Sequence, residues 1–373
     1  MRMKFPWTTL MAVVLMLCAI QVNADNSAEH FALINAEENL NNDEFGYRLE
    51  QLNLPFGVRN TARVRSYVRR YLVEGYRDSE DILGRATLYF PIFEHYLALY
   101  GLPQSLKYLP VVESALQPAA HSPVGAAGLW QFVPATARIY GLRVNGQVDE
   151  RLDPHKSTEA AVQMLQALYA QFGDWGLVLA AYNCGPGRVK RIMRTYGATN
   201  FWEAQPYLPQ ESQKYIPRFI AAAYMVNFHS AYGITPDYPE PDLQRTRTYR
   251  VFRGLHLAKV ARSLGVSYRL LQKLNPSYLS GLVTASPKGQ FVTVPERVAD
   301  QFELVFLADK PVEAPANHQR TTYITVAGDR LEIVAKLLQC TKTDLMRWNQ
   351  LPDEKLTVNQ PLIVYLPRTV VRP

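Results

Sequence analysis

The chain has 373 residues, 48% of them hydrophobic and 20% charged, with a formal net charge of +7. That length suits two or three domains, and the composition is that of a soluble globular protein. The mild positive balance favours anionic partners, but no dense basic run carries interleaved aromatics, which argues against nucleic acid.

Met1 to Ala24 reads as a signal peptide. Arg2 and Lys4 give a basic start, Leu10 to Ile20 is an apolar core, and Val22-Asn23-Ala24 has small residues at both cleavage positions. The apolar core is far short of the ~20 residues of a membrane span. Cleavage takes Arg2 and Lys4 and lowers the charge from +7 to +5. The expectation is export across an inner membrane into the periplasm or cell envelope. Cys18 has bulky Leu17 before it, which disfavours lipid attachment. Cys184 and Cys340 then remain, in different candidate domains, so no disulfide is expected. The histidines show no metal-ligand spacing, and neither a metal nor an organic cofactor is implied.

Residues 25–60 are polar and read as a poorly ordered lead-in. From Thr61 the pattern turns helical, with Val64, Val68, Tyr71 and Leu72 on one face. The arginines beside them read as a solvated face. Asp81 to Tyr100 is a second helical stretch, broken at Leu102-Pro103. Gln104 to Ser114 then runs helically, which places Glu113 near a helix C-terminus beside Val111 and Val112. The negative end of the helix dipole and apolar neighbours both disfavour a charged carboxylate, so Glu113 is suited to general-acid work. Pro118 to Gly128 is a loop, and Ser157 is a candidate cap for a helix reaching Phe172. Trp175 to Tyr182 is a short apolar helix that stops at Asn183, and further helices run from Arg188 to Met193 and from Ser212 to Phe228.

Pro236 to Pro241 holds three prolines in six residues and reads as a linker. Beyond it lies an internal repeat. Tyr249, Gly254, Leu257, Val260, Ala261, Leu271 and Asn275 recur as Tyr323, Gly328, Leu331, Val334, Ala335, Leu345 and Asn349, at a constant offset of 74. Each copy reads strand-helix-helix-strand. The boundaries are a signal at 1–24, a lead-in and helical segment at 25–84, a catalytic domain at 85–235, a linker at 236–247, a first module at 248–296, a linker at 297–320 and a second module at 321–368. The fold class is multidomain: a mainly α domain followed by two small α+β modules.

Glu113-Ser114, Gly125 to Phe132, Asp149-Glu150-Arg151, Asp153-Pro154, Gly173-Asp174-Trp175, Ala180 to Asn183, Phe201-Trp202, and Leu208-Pro209 with Glu211 and Tyr215 form a dense set of spaced motifs. In these the chain resembles the lytic murein transglycosylases of the soluble-transglycosylase, goose-lysozyme-like type, from about Val58 to Ala231. The two repeats resemble LysM modules, which bind glycans containing N-acetylglucosamine. The first copy has Gly254-Leu255 where the module usually has Gly-Asp, so it reads as degenerate.

The resemblance implies a lysozyme-like fold with Glu113 as the catalytic acid and base. Ser122 and Gln131 contact substrate near the scissile bond, Tyr182 hydrogen-bonds at the cleavage subsite, Asn183 shapes that turn, and Glu211 lines the cleft. Gly328, Asp329 and Asn349 are the implied glycan-binding positions of the second module. The implied partner is the glycan strand of peptidoglycan, acted on by a monomer that associates with the envelope. The implied reaction leaves a 1,6-anhydro-muramyl end and consumes no water.

Most glycosidases use two carboxylates, and this motif set offers one obvious candidate. Asp149, Glu150 and Asp153 sit in a turn suited to capping and arginine pairing. A hydrolase of the same fold needs a positioned water and a second carboxylate. A wall-binding protein with a dead site is the reading from another class, and the intact set of Glu113, Ser122, Gln131 and Tyr182 argues against it.

Overall fold

The computed structural model describes residues 40, 43–286, 289–307, 318–326, 328–349, 351 and 353–367. The expected signal peptide and Cys18 lie outside the described residues, as does most of the Pro- and Ala-rich stretch from 308. No helix among the described residues is long and apolar enough to cross a membrane. The chain divides into two compact units. One comprises residues 1–144 and 150–239, the other residues 145–149 and 240–373.

The first unit is helical. Its main helices are α1 (Asp43–Gln51), α2 (Ala62–Arg69, continued by a π turn Arg70–Glu74), α3 (Tyr76–Leu99), α4 (Leu109–Ser114), α5 (Pro134–Ile139), α6 (Pro154–Phe172), α7 (Trp175–Cys184), α8 (Pro186–Tyr196) and α9 (Tyr215–Phe228). Two of them are apolar on every side and therefore central. In α7, Leu177 to Ala181 are fully buried, and in α9 so are Phe219 to Met225. The other helices are amphipathic and turn one stripe toward these two. Val64, Val68 and Leu72 bury the face of α2 expected from periodicity. Thr61 caps α2 by accepting from the Val64 N–H at 3.1 Å, a contact worth about 1 kcal/mol.

Three readings change in this unit. Part of the stretch expected as a poorly ordered lead-in is α1, whose Phe45 and Leu49 are buried in the same core. Two apolar side chains one turn apart suffice to dock a nine-residue helix that is otherwise polar. The helix expected to start at Ser157 starts at Pro154 instead. Asp153 is its cap, accepting from the N–H groups of His155 and Lys156 at 2.9 and 3.0 Å. Aspartate followed by proline at the first helical position is the stronger start signal, and Ser157 Oγ donates back to the Asp153 carbonyl. The linker expected from 236 opens with a docked segment. The Asp237 N–H donates to the Glu80 carbonyl, and a Cβ on Gly84 would stand 1.7 Å from the Asp237 carbonyl oxygen.

The second unit holds both repeats, each with its own core. In the first, β1 (Thr246–Val251) pairs antiparallel with β4 (Gln290–Pro295), enclosing a small β2–β3 pair (Leu255–His256 with Leu282–Val283) and helices α10 (Leu257–Leu264) and α11 (Tyr268–Leu274). In the second, β5 (His318–Ile324) pairs antiparallel with β6 (Pro361–Pro367) around α12 (Leu331–Leu337) and α13 (Lys342–Asn349). Residues 297–307, expected to open a linker, are helical. They bury Val298, Ala299, Phe302 and Phe306 in the core of the first module.

The repeat is explained by a matched pair of asparagines. Asn275 donates to the carbonyls of Leu271 and Thr293 and accepts from the Thr293 N–H. Asn349 makes the same three bonds with Leu345 and Ile363. Each side chain ties the end of the second helix to the closing strand. Asn349 was expected among the glycan-binding residues, but both of its amide hydrogens are used inside the module. The Asp329 carboxylate is also engaged locally, accepting from Tyr323 Oη at 2.9 Å and the Val326 N–H at 2.8 Å. Gly328 takes φ +91 in that turn, a conformation open to glycine without strain.

Candidate active site

Glu113 sits on the last turn of α4, as its sequence context predicts. The helix ends because Ala115 and Leu116 both adopt left-handed backbone, with φ of 50° and 59°. Such residues cost about 1–2 kcal/mol each unless held, and these are held. The Ala115 carbonyl accepts from Arg85 Nε at 3.0 Å, and Leu116 is fully buried. Ser114 Oγ contacts the carbonyls of Pro110 at 3.0 Å and Leu129 at 2.9 Å, pinning the helix end to the loop that follows.

That loop folds on itself. The Ser122 N–H donates to the Ala126 carbonyl at 2.9 Å, and Ser122 Oγ accepts from the Ala126 N–H at 3.0 Å. Arg151 is buried and clamps the loop from behind, with Nη1 donating to the carbonyls of Gly125 at 2.7 Å and Phe132 at 3.0 Å. Gly128 packs directly on the backbone of the same arginine; a Cβ there would come within 1.9 Å of the Arg151 oxygen. Trp130 is fully buried, donates to Thr158 Oγ1 and meets the Phe93 ring edge-on, so it serves packing. Gln131 stands at φ 49° with its amide turned inward to the Gly128 carbonyl at 2.8 Å.

The second part comes from α7 and α9. Tyr182 Oη donates to the Trp130 carbonyl at 2.7 Å, joining α7 to the loop. Asn183 is exposed at the end of α7, its Oδ1 accepting from Ser212 Oγ at 2.6 Å. Tyr215, the first residue of α9, donates its phenol to Glu113 Oε1. Sequence reasoning did not select Tyr215 as a site residue, and the two residues are 102 positions apart. The available signal was Glu211 followed one helical turn later by Tyr215. Glu211 itself is exposed and paired with Arg218, with Lys214 4.0 Å away.

The electrostatics follow from this packing. Burial pushes the Glu113 carboxyl up from 4.5 to about 7, against the opposing pull of the Tyr215 hydrogen bond and the Arg218 charge. Burial, with the nearby Glu113 charge, holds the Tyr182 phenol well above its ordinary value, and the same is true of Tyr215. Both phenols therefore stay protonated. The site thus brings together one carboxyl able to carry a proton near neutrality, two phenols, and a loop held by Ser114, Arg151 and Tyr182. Ser122, Gln131 and Asn183 all belong to this loop or to the turn beside it. Glu211 lies in a short helical turn (Gln210–Gln213) just before α9, as the partner of Arg218.

A helical domain with a lone protonatable glutamate on a short helix, faced by such a loop, defines a lysozyme-like glycosidase class. The Transglycosylase SLT domain model matches residues 91–205. The model for the lytic transglycosylase MltD LysM-like domain matches 245–305, and the LysM domain model matches 323–364. Membrane-bound lytic murein transglycosylase D of Escherichia coli K12 is 32% identical over 323 residues, 83% of this chain and 70% of that protein. Soluble lytic murein transglycosylase of the same strain is 32% identical over 143 residues, 36% of this chain and 22% of its own. The crystal structure of the 70 kDa soluble lytic transglycosylase from Escherichia coli has 23% identity and a TM-score of 0.33, covering 48% of this chain and 33% of its own. The chain belongs to the family of membrane-bound lytic murein transglycosylase D.

Proposed function

We propose that the chain is a peptidoglycan lytic transglycosylase that cleaves the MurNAc–GlcNAc β-1,4 bond without water, using Glu113 alone. Protonated Glu113 gives its proton to the glycosidic oxygen as the C1–O bond breaks. The 2-acetamido carbonyl of the muramyl residue stabilises the positive charge at C1. The Glu113 carboxylate then takes the proton of the C6 hydroxyl as O6 bonds to C1. The acid is restored, and a 1,6-anhydro-MurNAc end and a free GlcNAc hydroxyl are left.

The observation that carries this reading is the Glu113 carboxyl, raised to about 7 and hydrogen-bonded by a phenol rather than by a cation. A general acid works best with a pKa near the working pH. Three other carboxylates singled out by sequence, Glu150, Asp153 and Glu211, are engaged elsewhere. Glu150 is ion-paired with Lys156, Asp153 caps α6, and Glu211 is paired with Arg218. A hydrolase needs a second carboxylate to activate water, whereas here the substrate's own O6 supplies the nucleophile. Ser122, Gln131, Tyr182 and Asn183 shape the cleft around the acid. The second module tethers the enzyme to glycan, with Gly328 and Asp329 forming its turn and Asn349 its frame, and so raises the local substrate concentration. The reading places a monomer in the periplasm or cell envelope.

Mass spectrometry of muropeptides released from purified peptidoglycan tests the mechanism, with Glu113→Gln run in parallel. Anhydro-muramyl ends absent from the variant digest are expected. Reducing, water-added ends would identify a hydrolase, and release by the variant would remove Glu113 from the chemistry.

A further inference from the structure

Helix α8 leaves the cleft directly. Its cap, Gly185, comes three residues after Tyr182 and two after Asn183. Its inner face is Val189 and Ile192, both buried. Its outer face carries Arg188, Lys190, Arg191 and Arg194, all exposed. From Trp175 to Trp202 the sequence contains no aspartate or glutamate. Among the described residues none of these four cations has a carboxylate within ion-pair reach, whereas Arg69, Arg85, Lys107 and Arg218 of the same unit all do.

Helix stability does not explain the pattern. A cation in the last turn, such as Arg194, complements the helix dipole, but cations in the first turns oppose it. Arg188 and Lys190 stand in the first turns, and no acid accompanies them there. They carry an electrostatic cost that a bound anion would reverse. Arg188 is also close enough for its charge to act on the Cys184 thiol, which burial otherwise pushes up. The cationic face therefore begins at the cleft.

We propose that the outer face of α8 binds the carboxylates of the peptide stems borne by the glycan strand. This rests on the peptidoglycan reading of the site. The sugars of such a strand are uncharged once the lactyl group is joined to peptide, so its anionic groups are those of the stems. A membrane surface fits this face less well. An interfacial helix inserts its apolar side, and the apolar side of α8 is spent on the core. Exposed Tyr196, at the end of the helix, is stacked on Tyr207 with ring centroids 3.7 Å apart and is not available alone.

The test compares peptide-bearing strands with strands stripped of peptide by an amidase and then converted to amides at the lactyl carboxylates that the cut exposes. The proteins are the wild type, a neutral variant (R188Q, K190Q, R191Q, R194Q) and a charge-keeping variant (R188K, R191K, R194K). The ratio of kcat/KM on the two substrates is expected to fall about three- to tenfold in the neutral variant and to be kept by the lysine variant, four exposed contacts being individually weak. The difference should fade in 0.5 M salt, where the Debye length is down to about 4 Å. Binding of a free acidic stem peptide is measured separately in a Glu113→Gln background, so it needs no turnover. Loss of that binding in the neutral variant supports the proposal. An unchanged ratio, or no peptide binding by any of the proteins, overturns it. So does loss of binding to phosphatidylglycerol vesicles in the neutral variant with the ratio intact, which would assign the face to a membrane. If the wild type cleaves neither strand, the transglycosylase reading fails, and the peptide-binding arm still decides this proposal.

Discussion

Glu113 and Glu150 are carboxylates of the same domain, and they lie on opposite sides of the ordinary carboxylate pKa. Glu150 is almost inaccessible, at 4% exposure, yet its pKa is lowered. Burial pushes it up, but the Lys156 ammonium at 2.7 Å and the Arg143 N–H and guanidinium at 2.7 and 2.8 Å outweigh that. Glu113 is raised to about 7 because burial dominates there: the Tyr215 phenol that hydrogen-bonds it and the charge of Arg218 pull it down only in part. Burial alone does not make a general acid. What separates these two carboxyls is whether cationic side chains bond them directly.

The largest expected effect comes from exchanging each for its amide. Glu113→Gln should lower turnover by about 10²–10⁴-fold, the usual worth of a general acid. It should not cost stability. Between the unfolded value of 4.5 and the folded value of about 7, the folded state keeps a proton that the unfolded state has released. Stability therefore falls as pH rises across that window, by up to ~3 kcal/mol. Urea titrations at pH 5 and pH 8 should show that slope in the wild type and not in Glu113→Gln. A variant that is both inactive and less stable at pH 8 would break the comparison.

Glu150→Gln should do the reverse. It leaves Lys156 and Arg143 without their carboxylate, and breaking a buried pair commonly costs 3–5 kcal/mol. The Arg143 side chain is 39% exposed and can rehydrate, so about 2–3 kcal/mol is expected by urea denaturation. The Glu150 contribution is present above its unfolded pKa and is lost only as pH falls through its lower folded value. The cost of the variant should therefore shrink in acid, and turnover per folded molecule should change little.

Tyr215→Phe addresses the partner itself. The phenol's hydrogen bond opposes the upward shift of Glu113, so its removal should move the alkaline limb of the pH–rate profile further up. The carboxyl also loses its orienting donor, and kcat should drop about tenfold. A limb that stays in place would mean that the phenol does not act on the acid.

Much of this was legible in the sequence because the signals are local. Glu113 lies within a few residues of the apolar run and helix stop that define it, and the repeat announces itself through one constant offset. Tyr215 was not legible as a partner. A contact spanning 102 residues leaves no periodicity to read, and a tyrosine opening an apolar helix looks like core. Helix α1 was missed for a related reason, since its stability comes from Phe45 and Leu49 docking on a distant core rather than from its own polar sequence. Residues 297–307 looked like linker because their apolar side chains find partners only in the first module's core. Asn349 was expected to bind glycan from the LysM resemblance alone, and polar groups that satisfy backbone inside a module, as it does, leave the same trace in sequence as groups that face a ligand.

The smallest effect tests where the two regions meet. Arg151 belongs to the turn of Glu150, yet its guanidinium bridges the Gly125 and Phe132 carbonyls of the cleft loop. One nitrogen, Nη1, holds both carbonyls at the tip of a long, rigid guanidinium, and the shorter, flexible lysine stem does not place its ammonium there as well. Arg151→Lys should loosen the loop bearing Ser122 and Gln131 while leaving the Tyr215 contact of Glu113 in place. A loosened binding loop should raise KM about three- to tenfold with a smaller change in kcat. The pH–rate limb should not move, because the burial, the Tyr215 phenol and the Arg218 charge that set the Glu113 carboxyl are unchanged. A moved limb would show that the loop tunes the acid as well as the substrate, and the division between a reactive and a structural carboxylate region would then have to be redrawn around Arg151.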